Sequence, residues 1–222
     1  MGFPKGLIDR YLAPSDSLSE VLFGLIMTLT FTLGAGVLVR EREGAARELL
    51  AATIGCNIAW GIIDALMYLA GQRFERGRKA RLRDAIRVAA NEEEGARLIA
   101  GELGELLALM PEAGDRDSLC RKIAHTVRSA EPPATGAARE DLYGAIASCA
   151  LVFFSSVPAA FPFLFIEDNW VALRVSNAIL IGLLFLVGYR WARHTNLSPF
   201  RVGLSLTVGG VAMVLVSIAL GG

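Results

Sequence analysis

The sequence predicts an all-α fold: a five-span helical membrane protein with a small cytoplasmic helical bundle inserted between spans 2 and 3. Three observations carry that reading. The chain has 222 residues, 54% of them hydrophobic, and a mean hydropathy of +0.48, which is more apolar than a soluble domain usually is. Five apolar segments reach the roughly 20 residues a helix needs to cross a bilayer. A charge-rich stretch separates the second from the third. The domains are therefore expected at 1–72 (an N-terminal interfacial helix with spans 1 and 2), 73–141 (the bundle) and 142–222 (spans 3 to 5).

The opening MGFPKGLIDRYLAPSD lacks the apolar core and small-residue cleavage site of a signal peptide. Its Phe3, Leu7, Ile8, Tyr11 and Leu12 have a helical spacing suited to lying along a membrane surface. Span 1 is expected over Glu20–Val39. Ser17 and Glu20 fit an S-x-x-E capping box, and Glu20, Met27 and Gly34 repeat every seven residues on one face. Gly24, Thr28, Thr30 and Thr32 add small and polar groups, which permit close helix approach and a symmetric interface.

Span 2, Leu49–Gly71, contains Asp64. A short carboxylate cannot snorkel to water as Lys or Arg can, and its insertion costs about 2.5–3.5 kcal/mol. An acid in that position is a functional-site hypothesis. Thr53, Asn57, Trp60, Asp64, Met67 and Gly71 recur at steps of three or four and share one side of the helix. Asn57 and Asp64 offer hard oxygen ligands; Met67 and Cys56 offer soft sulfur. Such a mixed set suits a borderline transition ion such as Fe2+. The plainer alternative is an interhelical hydrogen bond between Asp64 and a neighbouring Ser or Thr.

Arg73–Arg83 (RFERGRKARLR) holds six basic residues and reads as an extension of the second span, anchored near anionic headgroups. Asn91 before Glu92, Glu93 and Glu94 is a helix start. Ile99, Leu103, Leu106, Leu107 and Met110 then predict one continuous helix, which Pro111 ends. A third helix is expected to begin near Asp115 or Asp117 and to carry Leu119, Ile123 and Val127. EPPATGAA, Glu131–Ala138, reads as a linker.

Span 3, Leu142–Ile166, carries Ser148, Ser155, Ser156, Pro158 and Pro162. Two prolines four apart are expected to bend or loosen the helix. Spans 4 and 5, Val171–Tyr189 and Phe200–Leu220, read as scaffold. Asn177, Ser205, Thr207 and the Gly209-Gly210 pair there suit packing.

Charge sets the expected orientation. Lys and Arg total 22 and the net charge is zero, so nothing favours nucleic acid as a partner. Only Arg40, Arg42, Arg47 and Arg174 fall on one side of a five-span arrangement. The positive-inside rule then places the N-terminus in the cytoplasm and the C-terminus outside, in a bacterial inner membrane. Cys56, Cys120 and Cys149 show no paired spacing and read as free thiols. No nucleotide loop, Ser/His/Asp order or zinc spacing is present. The chain is expected not to be an enzyme and to require no cofactor.

Three stretches carry a family likeness: FGLIMTLTFTLGAG in the first span, GCNIAWGIIDALMYLAG in the second and SSVPAAFPFLF in the third. Together with the inserted bundle they resemble the vacuolar iron transporter family. The resemblance implies a homodimer with its first spans at the two-fold axis. It also implies movement of Fe2+ or Mn2+ out of the cytoplasm by proton exchange. The chain departs from the family in span 1, where Met27 stands near the place of a membrane acid. On this reading Asp64, Met67, Asn57 and Met27 line the path, Glu20 stands at the cytoplasmic mouth, and Glu94, Glu102 and Glu105, with Glu92 and Glu93, collect metal in the bundle. The alternative is a non-transporting membrane module that senses metal, or binds a partner or lipid, through its bundle.

Overall fold

A computed structural model describes residues 11–34, 45–131 and 138–219. Phe3, Leu7 and Ile8, the expected end of span 1 beyond Gly34, Arg40 and Arg42, and linker residues 132–137 lie outside them. Among the described residues the chain is all-helical. In order the helices are α1 (Pro14–Gly34), α2 (Ala45–Val88), α3 (Glu92–Glu102), α4 (Gly104–Leu107), α5 (Ala113–Ser129), α6 (Ala138–Ala160), α7 (Pro162–Phe165), α8 (Asn169–Trp191) and α9 (Pro199–Ala219). Five candidate spans are long and apolar enough to cross a membrane: α1, α2, α6 with α7, α8 and α9. The chain is read accordingly as an integral membrane protein. It divides into two compact units, Met1–Leu69 with Ala138–Gly222, and Ala70–Ala137.

In the first unit, Leu25 and Leu29 of α1, Ala159 of α6, Leu180 and Leu184 of α8 and Val214 of α9 form one buried apolar cluster. The α2 helix contributes nothing to that cluster. Its Ile58, Ile62, Ile63 and Leu66 are exposed, as suits side chains that meet hydrocarbon. It packs instead through Leu49, which is buried with Leu173 beside Phe31, through the Trp60 ring against Phe23 at 5.5 Å, through polar side chains, and through a close approach at Gly61, where an added Cβ would stand 3.0 Å from the Cys149 carbonyl.

The start of α8 is fixed by Asp168, whose Oδ1 accepts from the Trp170 and Val171 amides at 2.8 and 3.1 Å, satisfying two of the orphan donors of a helix end. Trp170 and Trp191 bracket α8. Their 21 steps at about 1.5 Å per residue span about 31 Å, comparable to the thickness of a hydrocarbon core. The chain reverses through a 3-10 turn at Ala192–His194 into α9. Gly188 and Gly203 set that contact: a Cβ on Gly188 would meet the Gly203 Cα at 2.8 Å and the Val202 carbonyl at 2.9 Å. Of the pair expected to serve packing, Gly209 meets nothing within 4 Å and Gly210 meets only side chains.

The proline pair acts on α6 as its chemistry dictates. The helix contains Pro158 and stops at Ala160; Pro162 opens α7. Near the break, Ser176 of α8 donates to the Ala159 carbonyl at 2.9 Å. A neighbouring helix thus satisfies a backbone acceptor that hydrocarbon could not.

The second unit is held by a core of its own: Ile86, Ile99, Leu107, Cys120 and Ala124 are buried together. Asn91 caps α3 by accepting from the Glu94 amide at 2.8 Å, and Glu94 reaches back to the Ala90 amide at 2.8 Å. Arg128 donates to the Ile86 and Ala89 carbonyls, and Arg87 to that of Ala130. Each arginine lies near the end of one helix and binds carbonyls at the end of another, where the helix dipole favours positive charge. Two expectations need correction. The single helix through Met110 is interrupted at Leu103 and resumes as α4. Gly101 and Gly104 flank the break, and each lowers helix propensity by about 1 kcal/mol. Leu106 consequently turns outward, 62% exposed. The third helix starts at Ala113; Ile123 and Val127 pack against the core as expected, beside the buried Cys120 and Ala124, whereas Leu119 is exposed.

Candidate functional site

The polar residues of α1 and α2 face each other in antiparallel register. On α1 they recur every four residues, at Glu20, Gly24, Thr28 and Thr32; on α2 they are Thr53, Asn57 and Asp64. Thr28, Thr32, Thr53 and Asn57 are all buried.

Nearest one end of this seam stands an acid pair. The carboxyls of Glu20 and Asp64 interact directly as side chains. Ser148 of α6, itself fully buried, donates to Glu20 Oε1 at 2.8 Å. Asp64 Oδ2 is buried and accepts no hydrogen bond. Two carboxyls in contact repel when both are charged, so the pair calls for a shared proton or a bridging cation. Tyr68 fixes its depth. The Tyr68 hydroxyl donates to the Tyr11 carbonyl at 3.1 Å, and the Tyr11 ring stacks at a tilt on Tyr143, 5.5 Å between centroids. Such a tyrosine cluster suits a membrane–water interface. Asp64 lies four residues deeper, about 6 Å along the helix.

No family model matches the chain, and no curated protein matches it.

Asn57 lies seven residues, or about 10 Å, further in. Its Nδ2 donates to Thr28 Oγ1 at 3.0 Å and reaches the Gly24 carbonyl at 3.5 Å. Thr28 in turn donates to the Gly24 carbonyl at 2.8 Å. Asn57 Oδ1 is buried without a donor. Asn57 is thus a cross-helix clamp that still leaves one oxygen open. Thr53 and Thr32 satisfy their hydroxyls on the Leu49 and Thr28 carbonyls of their own helices.

The expected sulfur ligands do not converge on the acids. Met67 is 67% exposed, on the outer side of α2. Met27 is half-buried, two turns along α1 from Glu20. The donors at the carboxyl pair are all oxygen, a harder set than the sequence suggests.

The glutamates of the second unit do not form one cluster. Glu94 serves the α3 cap. Glu102 accepts from Arg78 Nη1 through both oxygens, at 2.6 and 2.7 Å, and Arg78 also binds Glu75 at 3.0 Å. Glu105 lies on α4, beyond the break at Leu103, and Glu92 and Glu93 are exposed in the first turn of α3. Among the described residues no three His, Cys, Asp or Glu side chains are grouped to hold a metal ion.

Two residues at the site carry more than their sequence positions suggest: Ser148, which binds Glu20, and Thr28, which holds Asn57. Both are small hydroxyls in apolar spans, where bonding to the helix's own backbone is common, so only the tertiary register reveals them.

Proposed function

We propose that the chain is a membrane carrier for a divalent transition cation, Fe2+ or Mn2+, with the Glu20–Asp64 pair as its entry site. One observation carries the reading: two interacting carboxyls inside membrane helices, one of whose oxygens is buried with no donor. An ion entering between them replaces the proton that otherwise relieves their repulsion, which couples cation uptake to proton release. The basic distribution puts Glu20, the 70–137 unit and the loop before α9 on the cytoplasmic side. The direction of movement is then outward. The proposed site is drawn from residues of one chain.

The test is uptake of Mn2+ and Fe2+ into proteoliposomes with an imposed pH gradient. Glu20→Gln and Asp64→Asn are each expected to lower the rate at least tenfold, and dissipating the gradient to slow wild type. Equal rates for all three proteins would remove the pair from the mechanism.

The closed Asn57–Thr28 bond deeper in the seam favours a second reading. There the seam is a fixed helix contact, and the spans anchor the 70–137 unit for sensing or partner binding. Absence of flux from wild type, with metal binding retained by the full chain, selects it.

A further inference from the structure

A cleft of about 450 Å3 opens among α1, α6 and α8, and neither Glu20 nor Asp64 lines it. Its volume is that of an ordinary ligand pocket, about 300–1,000 Å3. Leu18 and Val21 of α1, Leu151 and Phe154 of α6 and Leu186 of α8 line it, and its one charged side chain is Arg190. Arg190 is exposed and makes no ion pair among the described residues. It sits between Tyr189 and Trp191, side chains that suit a membrane–water interface. Pro158 also lines the cleft, where its missing N–H interrupts the α6 hydrogen-bond ladder and loosens the wall.

The geometry has a direction: an apolar trough ending on a guanidinium that has no ion partner among the described residues. A fully apolar solute would leave the guanidinium without a partner. A zwitterionic lipid would bring its own cation beside it. An anionic phospholipid satisfies both ends, because a guanidinium forks onto phosphate oxygens. We propose that this cleft binds one anionic phospholipid, with an acyl chain along Leu18, Val21, Leu151, Phe154 and Leu186 and the phosphate on Arg190. The site is independent of any cation carried through the α1–α2 seam.

The experiment is native mass spectrometry of the full chain in detergent, titrated with phosphatidylglycerol or phosphatidylcholine. Wild type is expected to retain one phosphatidylglycerol with about fivefold preference, the effect of one basic side chain at an anionic surface. Arg190→Gln should bring the two lipids to parity, whereas Arg193→Gln, which removes a charge outside the cleft, should keep the preference. Leu151→Trp, filling the trough, should lower retention of both lipids. Parity in wild type, or a preference that survives Arg190→Gln, overturns the proposal; so does loss of preference in Arg193→Gln equal to that in Arg190→Gln, since the attraction would then be diffuse surface charge. Unaltered retention by Leu151→Trp would show that the chain lies elsewhere and would overturn the site as drawn.

Discussion

Ser148 on α6 donates to Glu20 on α1 at 2.8 Å, across 128 residues of sequence. The bond recruits a third helix to the acid pair and orients the carboxyl that meets Asp64. Ser148→Ala is expected to cost about 0.6 kcal/mol, the mean for hydrogen bonds between membrane helices, and no more than about 1.7 kcal/mol. A double-mutant cycle with Glu20→Ala, which removes the acceptor, read by reversible unfolding in mixed micelles, should return a coupling of similar size. Additive single effects would mean that the bond contributes nothing.

Thr28 accepts from Asn57 and donates to Gly24. Thr28→Val removes the acceptor and leaves the fully buried Asn57 amide with one long contact, at an expected cost of about 1–2 kcal/mol. Thr28→Ser keeps the hydroxyl and should stay close to wild type. Replacing both partners, as in Thr28→Val with Asn57→Leu, should recover most of the loss, because no buried donor then goes unpaired.

Much of this arrangement was legible in the sequence, and the remainder fails for identifiable reasons. The five spans follow from length and hydropathy, and the break in α6 from Pro158 and Pro162. Asp64 announces itself as an acid in an apolar run. That it meets Glu20 depends on the antiparallel register of α1 and α2, which periodicity within either helix does not contain. Met67 shows the same limit from the other side: it shares a spacing of three with Asp64, yet the two directions diverge enough to leave it outside. In the second unit the apolar period ran unbroken through Leu103, and the flanking Gly101 and Gly104 were the signal for the break.

Gly24 and Gly188 each sit against the backbone of a neighbouring helix. A methyl on Gly24 would collide with Ser155 Oγ and stand 2.9 Å from the Val152 carbonyl; one on Gly188 would meet the α9 backbone. Backbone cannot rotate away, so each Gly→Ala change is expected to destabilise by about 1–3 kcal/mol. Gly209→Ala, with open space around it, is the control and should be near neutral or slightly stabilising. Thermal inactivation of the three variants separates the cases.

The reciprocal bonds at the start of α3 give a local prediction for the second unit. Asn91→Ala removes the acceptor for the Glu94 amide and should cost about 1 kcal/mol. Hydrogen exchange should then quicken in the first turn of α3, at Glu92–Glu94, before it does so around Cys120. Glu102→Gln weakens an exposed ion pair with Arg78 and should leave stability close to wild type.

Cys120 is 3% exposed in the core of the second unit. Burial pushes its thiol up from the ordinary range, and the nearby Asp117 carboxylate pushes the same way. A raised folded-state value means that the folded protein holds its proton more tightly than the unfolded chain does. The resulting stabilisation is full below the ordinary thiol value and is lost as pH climbs through the raised one. The thiolate is the reactive form, so low thiolate content and burial act together. In a chain carrying Cys56→Ala and Cys149→Ala, iodoacetamide should leave Cys120 unmodified at neutral pH and label it promptly once denaturant unfolds the unit. Raising the pH into the alkaline range should increase labelling and lower the denaturant midpoint together. Rapid modification of the native protein at neutral pH would show that the α3–α5 core opens far more readily than its burial implies.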